Sequence, residues 1–320
     1  MEPLRLQYIY SQYSTNFDIT PVEFLDKAKE AYYRFDAEDY NLPQLDRALK
    51  TLKLSKENQN HFSNIIDIGA GTGAIYKIIN ELNINYESYV FIEPFKSMSD
   101  QLKVTDKKLS IINDYFTNVK IPKRKSSNAP NLFIFSGVFR TLHNPLAVLE
   151  IIKKNMKTDD LCLFVVEPNN KYFKTIHNFI YPLDFLVRVK NKVKIMFRKQ
   201  VLKSKNLTSK EYNSHIDPLE KAVNYLIKEK VVNKTFNRKI LYAMVYYNNL
   251  LLWKYISIPK NMNEGFFTFD IVKNGLGCEE VFFKTDTFFY GHNWLRLLDK
   301  LIIKVCPKSG ATASVLLKKT

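Results

Sequence analysis

A glycine-spaced segment limits what this chain can fold into more than any other part of the sequence. Residues Asn64 to Ala74 read NIIDIGAGTGA, an apolar run followed by glycines at alternate positions, Gly69, Gly71 and Gly73. Glycine allows the backbone to turn tightly with positive φ, and a helical pattern over residues 74–82 follows at once. The segment therefore predicts a buried strand, a tight turn and a helix N-terminus, where backbone can approach a nucleotide-like ligand closely.

An acid two residues before the first glycine bears on which ligand the turn binds. The pattern Gly69-x-Gly71-x-x-Ala74 also satisfies the dinucleotide fingerprint, with Glu93 about twenty residues further on, where a ribose-binding acid is expected. A dinucleotide brings a pyrophosphate, which disfavours an inward carboxylate. S-adenosylmethionine instead carries a cationic sulfonium and an amino group, so Asp67, expected to face the crevice at the strand's carboxyl end, favours it. A glycine turn that binds no ligand is the third alternative.

The motifs that follow the glycines resemble those of the class I S-adenosylmethionine-dependent methyltransferases. The first motif of that family is an acid, any residue, then Gly-x-Gly-x-Gly. Four later segments are similar to its second strand, its third-strand end, its fourth strand with the loop beneath the methyl group, and its fifth strand: Val90–Pro94, Ile111–Tyr115, Asn131–Pro145 and Leu161–Asn169. The resemblance covers roughly residues 61–170 and, more loosely, 265–320. One departure is Asn131, where many relatives have an acid.

The resemblance implies a fold, a cofactor and a set of binding residues. The fold is α/β: a Rossmann-like, doubly wound, seven-stranded sheet, mostly parallel with one antiparallel edge strand, carrying helical cap insertions. Alternation of strand and helix patterns independently predicts a parallel doubly wound sheet. The cofactor is S-adenosylmethionine. The candidate binding residues are Asp67, Gly69, Gly71 and Gly73 at its methionyl end, Glu93 on the ribose, Asp114 and Tyr115 near the adenine, and Ser136 near the methyl group.

Three regions are predicted along the chain. Residues 1–60 contain no glycine and read as a helical N-terminal cap, with helices over Pro21–Ala31, for which Thr20 is the expected N-cap, and Asp46–Leu54. Residues 61–170 and 265–320 form the cofactor-binding core. Residues 171–264 form an inserted cap of several helices, rich in aromatic residues and lysine, at a position where loops on a fixed scaffold often set substrate specificity.

The positive charge is concentrated in the insertion. Of the net charge of +16, residues 171–264 contribute +13, with 19 basic and 6 acidic residues. Arginine, which is favoured for bidentate contacts to phosphates and bases, is scarce, with 9 residues against 39 lysines. Nucleic acid is therefore not the expected partner. The amphipathic run Leu183–Lys203 instead raises the hypothesis of a peripheral contact with a membrane surface, against the alternative of a helix packed on the core with its lysines in water.

Two residues are candidates for proton removal from an acceptor. Methyl transfer is an in-line displacement in which the enzyme mainly aligns the acceptor with the methyl group. An alcohol or amine acceptor also loses a proton, usually to a side chain near the methyl group. His143 follows the fourth strand and Glu167 follows the fifth, so both are candidate catalytic bases. Capping of the helix at Pro145 is the alternative role for His143, and a structural hydrogen bond the alternative for Glu167.

The sequence predicts a methyltransferase that acts on a small-molecule or lipid-like acceptor at oxygen or nitrogen. The alternatives are an RNA methyltransferase, an NAD-dependent oxidoreductase and a methyltransferase-like binding module without catalysis. The three cysteines, Cys162, Cys278 and Cys306, are widely spaced and form no C-x-x-C pair, so we expect a reducing compartment and no metal site. No early segment has the pattern of a signal peptide, which favours a cytoplasmic location. No particular oligomeric state is predicted.

Overall fold

A computed structural model describes five stretches of the 320-residue chain. They are residues 17–36, 61–169, 220–245, 269–285 and 296–320, with gaps at 18, 103, 125–128, 140–141, 143–144, 239–240, 242–244, 307 and 311. The predicted helix over Asp46–Leu54 and the amphipathic run Leu183–Lys203 lie outside these residues. Among the helices of the described stretches, none is long and apolar enough to cross a membrane.

Strands and helices alternate along the described core, as the sequence pattern predicts. An N-terminal helix, α1 (Pro21–Asp36), precedes the core. The core elements follow in chain order: β1 (His61–Ile68), α2 (Ala74–Glu81), β2 (Asn85–Ile92), α3 (Lys96–Ser99), β3 (Leu109–Ile112), β4 (Leu132–Ser136), α4 (Pro145–Asn155), β5 (Leu161–Pro168), α5 (Phe269–Leu276), β6 (Cys278–Thr285), α6 (Arg296–Val305) and β7 (Thr312–Lys319). A short 3₁₀ turn, Phe116–Asn118, follows β3.

The seven strands form a single sheet in the order β3-β2-β1-β4-β5-β7-β6. Six strands run in one direction, and β7 is antiparallel to both of its neighbours, β5 and β6. The predicted seven-stranded, mostly parallel sheet is confirmed. Its antiparallel pair lies at one edge, where β6 is outermost and the reversed strand β7 is second from the edge. The chain order changes direction between β1 and β4, and in open α/β sheets ligands bind at such a point, beyond the carboxyl ends of the strands.

Apolar layers on both faces of the sheet explain why β1 is buried along nearly its whole length. Every residue of β1 except His61 is buried, as expected for a central parallel strand covered by helices on both sides. Ile66 packs on one face with Ile152 of α4 and Leu276 of α5. Ile65 packs on the other face with residues of α2. The sheet is thus the middle of three layers.

Helix α5 ends two residues later than its sequence pattern suggests. The apolar spacing of Phe266–Asn274 predicts a helix broken by Gly275 and Gly277, whereas the described helix continues through Gly275 to Leu276. A Cβ atom at Gly275 would make only ordinary contact with Leu149 of α4, and its φ is not positive. Gly277, with φ of 61°, makes the turn into β6 instead. The second glycine, and not the first, therefore ends the helix.

A buried carboxylate fixes the amino ends of β4 and β5. Asp160 has 0% of its surface exposed, and its Oδ1 accepts hydrogen bonds from the Arg124 guanidinium and from the Asn131 backbone N–H. Its Oδ2 accepts from the Lys157 backbone N–H at 2.8 Å. Asn131, the departure from the family pattern, accepts a bond of 2.8 Å from the Asn64 side chain through its own Oδ1. This end of the sheet is opposite the carboxyl ends of the strands and serves stability.

Helix α1 and part of the insertion share a separate hydrophobic core. Phe24, Ala28 and Ala31 of α1 pack with Leu226 and other buried apolar residues of the 220–245 segment, in which residues 220–228 are helical. The start of α1 agrees with the predicted N-cap: the Glu23 backbone N–H donates to Thr20 Oγ1 at 3.3 Å, and the Glu23 carboxylate accepts the Thr20 N–H at 2.8 Å. Two regions that the sequence suggested as separate caps therefore pack together where they are described.

Candidate functional site

The glycine turn has the backbone conformation that its sequence predicts. Gly69, Gly71 and Gly73 have φ values of 67°, 61° and 86°, a region that L side chains rarely adopt. The backbone N–H groups of Gly69 and Ala70 both donate to the carbonyl of Ile92 at the end of β2. Helix α2 begins directly after Gly73. The turn thus joins the carboxyl ends of β1 and β2 to a helix N-terminus.

Glu93, directly after β2, is hydrogen-bonded to the backbone of the glycine turn. It is 4% exposed, its Oε2 accepts the Gly71 N–H at 2.9 Å, and its Oε1 accepts the Phe95 N–H at 3.0 Å. Asn113, which follows β3, donates from its side chain to the Glu93 carbonyl at 3.0 Å and to Ser99 Oγ. These bonds bring together the ends of β1, β2 and β3, where the sequence placed the methionyl, ribose and adenine contacts.

Asp67 lies beneath the glycine turn and is fully buried, with 0% of its surface exposed. Its Oδ2 accepts the hydroxyl of Tyr89, on β2, at 2.6 Å. Its Oδ1 is buried and has no hydrogen-bond partner among the described residues. Burial raises the pKa of the Asp67 carboxyl to about 7, the Tyr89 hydrogen bond opposes this rise, and the negative charge of Glu93 adds to it. The carboxylate is thus covered by protein in the ligand-free state, whereas the sequence suggested that it faces the crevice, so a ligand can bond to Oδ1 only if the glycine turn shifts.

Beyond β3, the side chains of Asp114 and Tyr115 both have partners. Asp114 Oδ1 accepts the Tyr115 N–H at 2.7 Å and the Asn118 side chain at 2.9 Å, which fixes the 3₁₀ turn. Tyr115, 39% exposed, donates its hydroxyl to Asp26 Oδ2 of α1 at 2.5 Å. Burial, followed by the Asp26 interaction, raises the pKa of Tyr115 above its ordinary value. Helix α1 therefore reaches the predicted adenine end of the site.

The ends of β4 and β5 are joined by Glu167. This residue is 0% exposed, and its Oε1 accepts the Phe139 backbone N–H at 2.9 Å. The Phe139 ring packs edge-on against the rings of Phe135 and Phe164. Ser136, half-buried at the end of β4, precedes Gly137, which turns with φ of 64°. Glu167 thus holds the loop after β4, which is the structural hydrogen-bonding role given above as the alternative to catalysis. A catalytic role for Glu167 stays a prediction. His143 lies outside the described residues.

Three site residues were not singled out from the sequence: Tyr89, Asn113 and Asp26. A signal existed for Tyr89, because a tyrosine in a buried parallel strand needs a partner for its hydroxyl. Asp67 pairs in register with Phe91, two residues after Tyr89, so side-chain alternation places Tyr89 and Asp67 on the same face of the sheet. No comparable signal existed for Asp26, since its partner lies 89 positions away.

The residues present fit a cofactor that is cationic at its methionyl end. The glycine turn supplies close backbone approach, since a Cβ at Gly71 would meet only Met98 Cε, at 3.4 Å. The buried Asp67 Oδ1 without a partner can accept a hydrogen bond from an ammonium group. The N-terminus of α2 could complement a pyrophosphate, but the two acids Asp67 and Glu93 beside the turn oppose its negative charge. S-adenosylmethionine matches this donor and acceptor set better than a dinucleotide does.

The fold and the site together define a class, the S-adenosylmethionine-dependent methyltransferases, whose cofactor is S-adenosylmethionine. A family model described as a methyltransferase domain matches residues 34–204, just over half of the chain. The chain therefore belongs to the methyltransferase domain family. No curated protein matches the chain.

Solved structures with a similar fold include three methyltransferases. The plantazolicin methyltransferase BpumL, in complex with a triazolic desmethylPZN analog and SAH, has 14% identity and a TM-score of 0.39, over 99% of this chain and 97% of that one. A methyltransferase in complex with the Haloferax volcanii Trm112 activator has 15% identity and a TM-score of 0.36, over 46% of this chain and 64% of that one. Phosphoethanolamine N-methyltransferase 1 of Haemonchus contortus has 14% identity and a TM-score of 0.34, over 46% of this chain and 33% of that one. The chain thus spans less than two thirds of the latter two, and likeness at this level says nothing about the acceptor.

Proposed function

We propose that this protein transfers a methyl group from S-adenosylmethionine to oxygen or nitrogen of a small-molecule or lipid-like acceptor. The observation that carries the proposal is the fully buried Asp67 beneath a glycine turn of positive φ, beside a second acid, Glu93. An anionic site of this kind suits a cationic cofactor and opposes a pyrophosphate. When bound, S-adenosylmethionine supplies a methyl group on a positively charged sulfur, which makes that carbon electrophilic.

Each protein group has a proposed role around the cofactor. Asp67 stabilises the charged methionyl end, and the N–H groups of the turn approach it closely. Glu93 accepts the ribose hydroxyls, for which it exchanges one of its two backbone hydrogen bonds. Asp114 binds the adenine amino group through Oδ2, because its two hydrogen bonds within its own turn both go to Oδ1, and Tyr115 lies against the ring. Ser136 lies near the reacting carbon.

Proton removal from the acceptor is proposed for the loops after β4 and β5. Glu167 already accepts one backbone hydrogen bond, from Phe139, and so positions the loop that borders the acceptor. His143, further along that loop, is the first candidate base and Glu167 the second. Substitution of Glu167 by Gln keeps a side-chain oxygen that can accept the hydrogen bond from the Phe139 N–H, but it removes the basic carboxylate. Loss of methyl transfer in Glu167→Gln with an unchanged melting temperature supports the catalytic role, and unchanged transfer assigns Glu167 to structure alone.

A small or lipid-like acceptor is favoured over RNA or protein by the composition of the cap. The insertion is rich in aromatic residues and lysine but poor in arginine. Its described part packs with α1, which contacts the cofactor end of the sheet through Asp26. These contacts support a cap that borders the site. Incubation of the protein with labelled methyl donor and fractionated cell extract tests this choice, with label expected in the organic-soluble or small-molecule fraction. Label confined to RNA or to protein contradicts it, and no label in any fraction favours a non-catalytic binding module.

Cofactor binding is tested separately by calorimetry with S-adenosylhomocysteine. We expect the wild type to bind it and Gly71→Arg to lose binding, because the new side chain would occupy the open space above the turn. Among the described residues, only the Met98 methyl lies within contact distance of a Cβ at Gly71, so the substitution does not collide with the described core. A cooperative melting transition of the ligand-free variant, lowered by no more than the few degrees that a backbone penalty of about 1 kcal/mol at positive φ produces, establishes that the fold is kept. Tight binding of NAD, without binding of S-adenosylhomocysteine, refutes the proposal in favour of an oxidoreductase.

Peripheral contact with an anionic membrane is a second proposal, supported by α6. Leu297, Leu301 and Val305 recur every fourth residue and are 80%, 62% and 80% exposed. Lys304 beside them is exposed, and the protein carries a net charge of +16, which complements an anionic lipid surface. Strand β6 runs parallel to β5, so both strands end at the same edge of the sheet, where the ligand is proposed to bind. The connection that contains α6 follows β6 and therefore begins at that edge. Co-sedimentation with anionic vesicles at low salt is expected, and to be lost in Leu297→Gln/Leu301→Gln. Wild-type protein that stays in the supernatant refutes the contact.

A further inference from the structure

The buried contact between Asp67 and Tyr89 sets the charge of the site before any ligand binds. Both residues are 0% exposed, and the Tyr89 hydroxyl is 2.6 Å from Asp67 Oδ2. The other carboxylate oxygen, Oδ1, has no hydrogen-bond partner among the described residues. An ionised carboxylate in this position is stabilised by one hydrogen bond only, whereas Glu93 accepts two backbone N–H groups. Asp67 is thus the less well stabilised of the two anions.

We propose that Tyr89 is a positioning residue for cofactor binding. It holds Asp67 in place so that a cationic ligand at the glycine turn binds the ionised form of Asp67, and the Asp67 proton is released to solvent. This inference rests on the proposed function, because it needs S-adenosylmethionine at the turn. It adds a residue and a charge linkage that the family pattern does not contain. Oδ1 then gains its missing donor from the ligand, and the Tyr89 hydroxyl keeps Oδ2 in place.

The surroundings of Asp67 leave few other groups that could set its charge. From β2, Tyr89 faces it directly and Glu93 acts at a distance. From α2, Tyr76 packs edge-on against the Tyr89 ring at 5.0 Å, and Tyr86 of β2 packs on the same ring at 5.7 Å. The hydroxyls of Tyr76 and Tyr86 both donate to Asp106, away from Asp67. From β4, the partner in register is the apolar Ile134. None of these described groups is a cation.

The electrostatic balance agrees with this proposal. Burial raises the pKa of Asp67 to about 7, so without ligand the carboxyl is partly protonated at neutral pH. A cationic ligand favours the ionised form and lowers that pKa. Binding therefore releases a proton, and S-adenosylmethionine should bind about tenfold more tightly at pH 8 than at pH 6 if only this group titrates. Because the Tyr89 hydrogen bond opposes the rise, Tyr89→Phe should move the transition upward by about one pH unit.

Calorimetry with S-adenosylmethionine across pH 6 to 8, in buffers of different ionisation enthalpy, measures both affinity and proton release. We expect proton release in the wild type, none attributable to the protein in Asp67→Asn, and a transition at higher pH in Tyr89→Phe. Tyr86→Phe is the matched control, because its hydroxyl bonds Asn80 and Asp106 but not Asp67. The free ligand titrates identically in all four experiments, and wild type, Tyr89→Phe and Tyr86→Phe all keep Asp67 beside its amino group, so differences among these three report on Tyr89.

The ligand-free protein gives an independent readout. A carboxyl whose pKa is higher in the folded than in the unfolded state contributes stability that is present below the unfolded value and is lost as pH rises towards about 7. The melting temperature of Asp67→Asn relative to wild type should therefore increase from pH 4 to pH 7 and then level off. The same pH dependence of binding in wild type and Asp67→Asn overturns the inference and leaves the proposed function intact. Failure of the folded wild type to bind S-adenosylmethionine at any pH overturns both.

Discussion

Replacement of Gly69 by alanine should destabilise the fold far more than the same change at Gly71. Both glycines have similar positive φ, 67° and 61°, so each substitution carries the same backbone penalty of about 1 kcal/mol. At Gly69 the new Cβ would also lie 2.2 Å from Cγ2 and 2.9 Å from Cβ of Val138. These atoms lie next to the backbone of a branched side chain and cannot swing away. Overpacking of this kind costs about 2 kcal/mol more. We expect losses of about 3 kcal/mol for Gly69→Ala and about 1 kcal/mol for Gly71→Ala.

Urea unfolding of the ligand-free proteins, followed by circular dichroism, measures these free energies. A double-mutant cycle with Val138→Ala separates most of the collision from the backbone penalty, because truncation of Val138 removes Cγ2 and Cγ1, which would lie 2.2 and 3.2 Å from the new methyl group, and leaves only Cβ at 2.9 Å. The double variant should recover about 2 kcal/mol relative to the sum of the two single changes. Equal losses at Gly69 and Gly71, or strictly additive effects in the cycle, would refute close packing between the glycine turn and the loop after β4.

Two further changes probe other contacts of the fold. Asp160 is a fully buried acceptor for the Arg124 side chain and for two backbone N–H groups. Asp160→Ala leaves these donors without their acceptor and should lower the free energy of unfolding by about 3 kcal/mol. Its neighbour Asp159, exposed and paired with Lys318 at the surface, is the matched control, and a large loss in Asp159→Ala would contradict this reasoning. Tyr115→Phe removes the hydroxyl that bonds Asp26 and should increase amide exchange in α1 without changing exchange in β1, as measured by hydrogen exchange with mass spectrometry. Thr117→Ala, whose hydroxyl bonds within its own turn, should leave exchange in α1 unchanged.

Local sequence determines the sheet and the glycine turn, and for that reason both could be predicted. The parallel strands β1 to β5 each contain several apolar residues and are followed by a polar residue or a glycine, and the turn needs three positive φ values that only glycine adopts easily. The start of α1 was equally local, since Thr20, Pro21 and Glu23 lie within four positions. The end of α5 was not predicted correctly, because Gly275 fits inside a helix wherever its neighbours leave it room.

The partners of the site residues depend on contacts between distant parts of the chain. The sequence identified Asp67 as a candidate, but its complete burial follows from the packing of α2 and of the Tyr89 ring above it. Glu167 was placed correctly after β5, but the bond to the Phe139 N–H depends on a loop 28 positions earlier. A motif therefore indicates which residues lie at the carboxyl ends of the strands. It does not indicate which of their polar atoms are already bonded and which remain for a ligand.

Helix α1 connects part of the insertion, which is proposed to border the acceptor, with the region proposed to hold the cofactor. One side of the helix, Phe24, Ala28 and Ala31, is buried against the 220–245 segment of the insertion. Its Asp26 bonds Tyr115, next to Asp114 at the predicted adenine end. An acceptor that orders the insertion would therefore stabilise α1, and through Asp26 it would stabilise the residues around the adenine. Since linkage of two binding sites is reciprocal, a bound cofactor would in turn favour the arrangement of the cap that receives the acceptor.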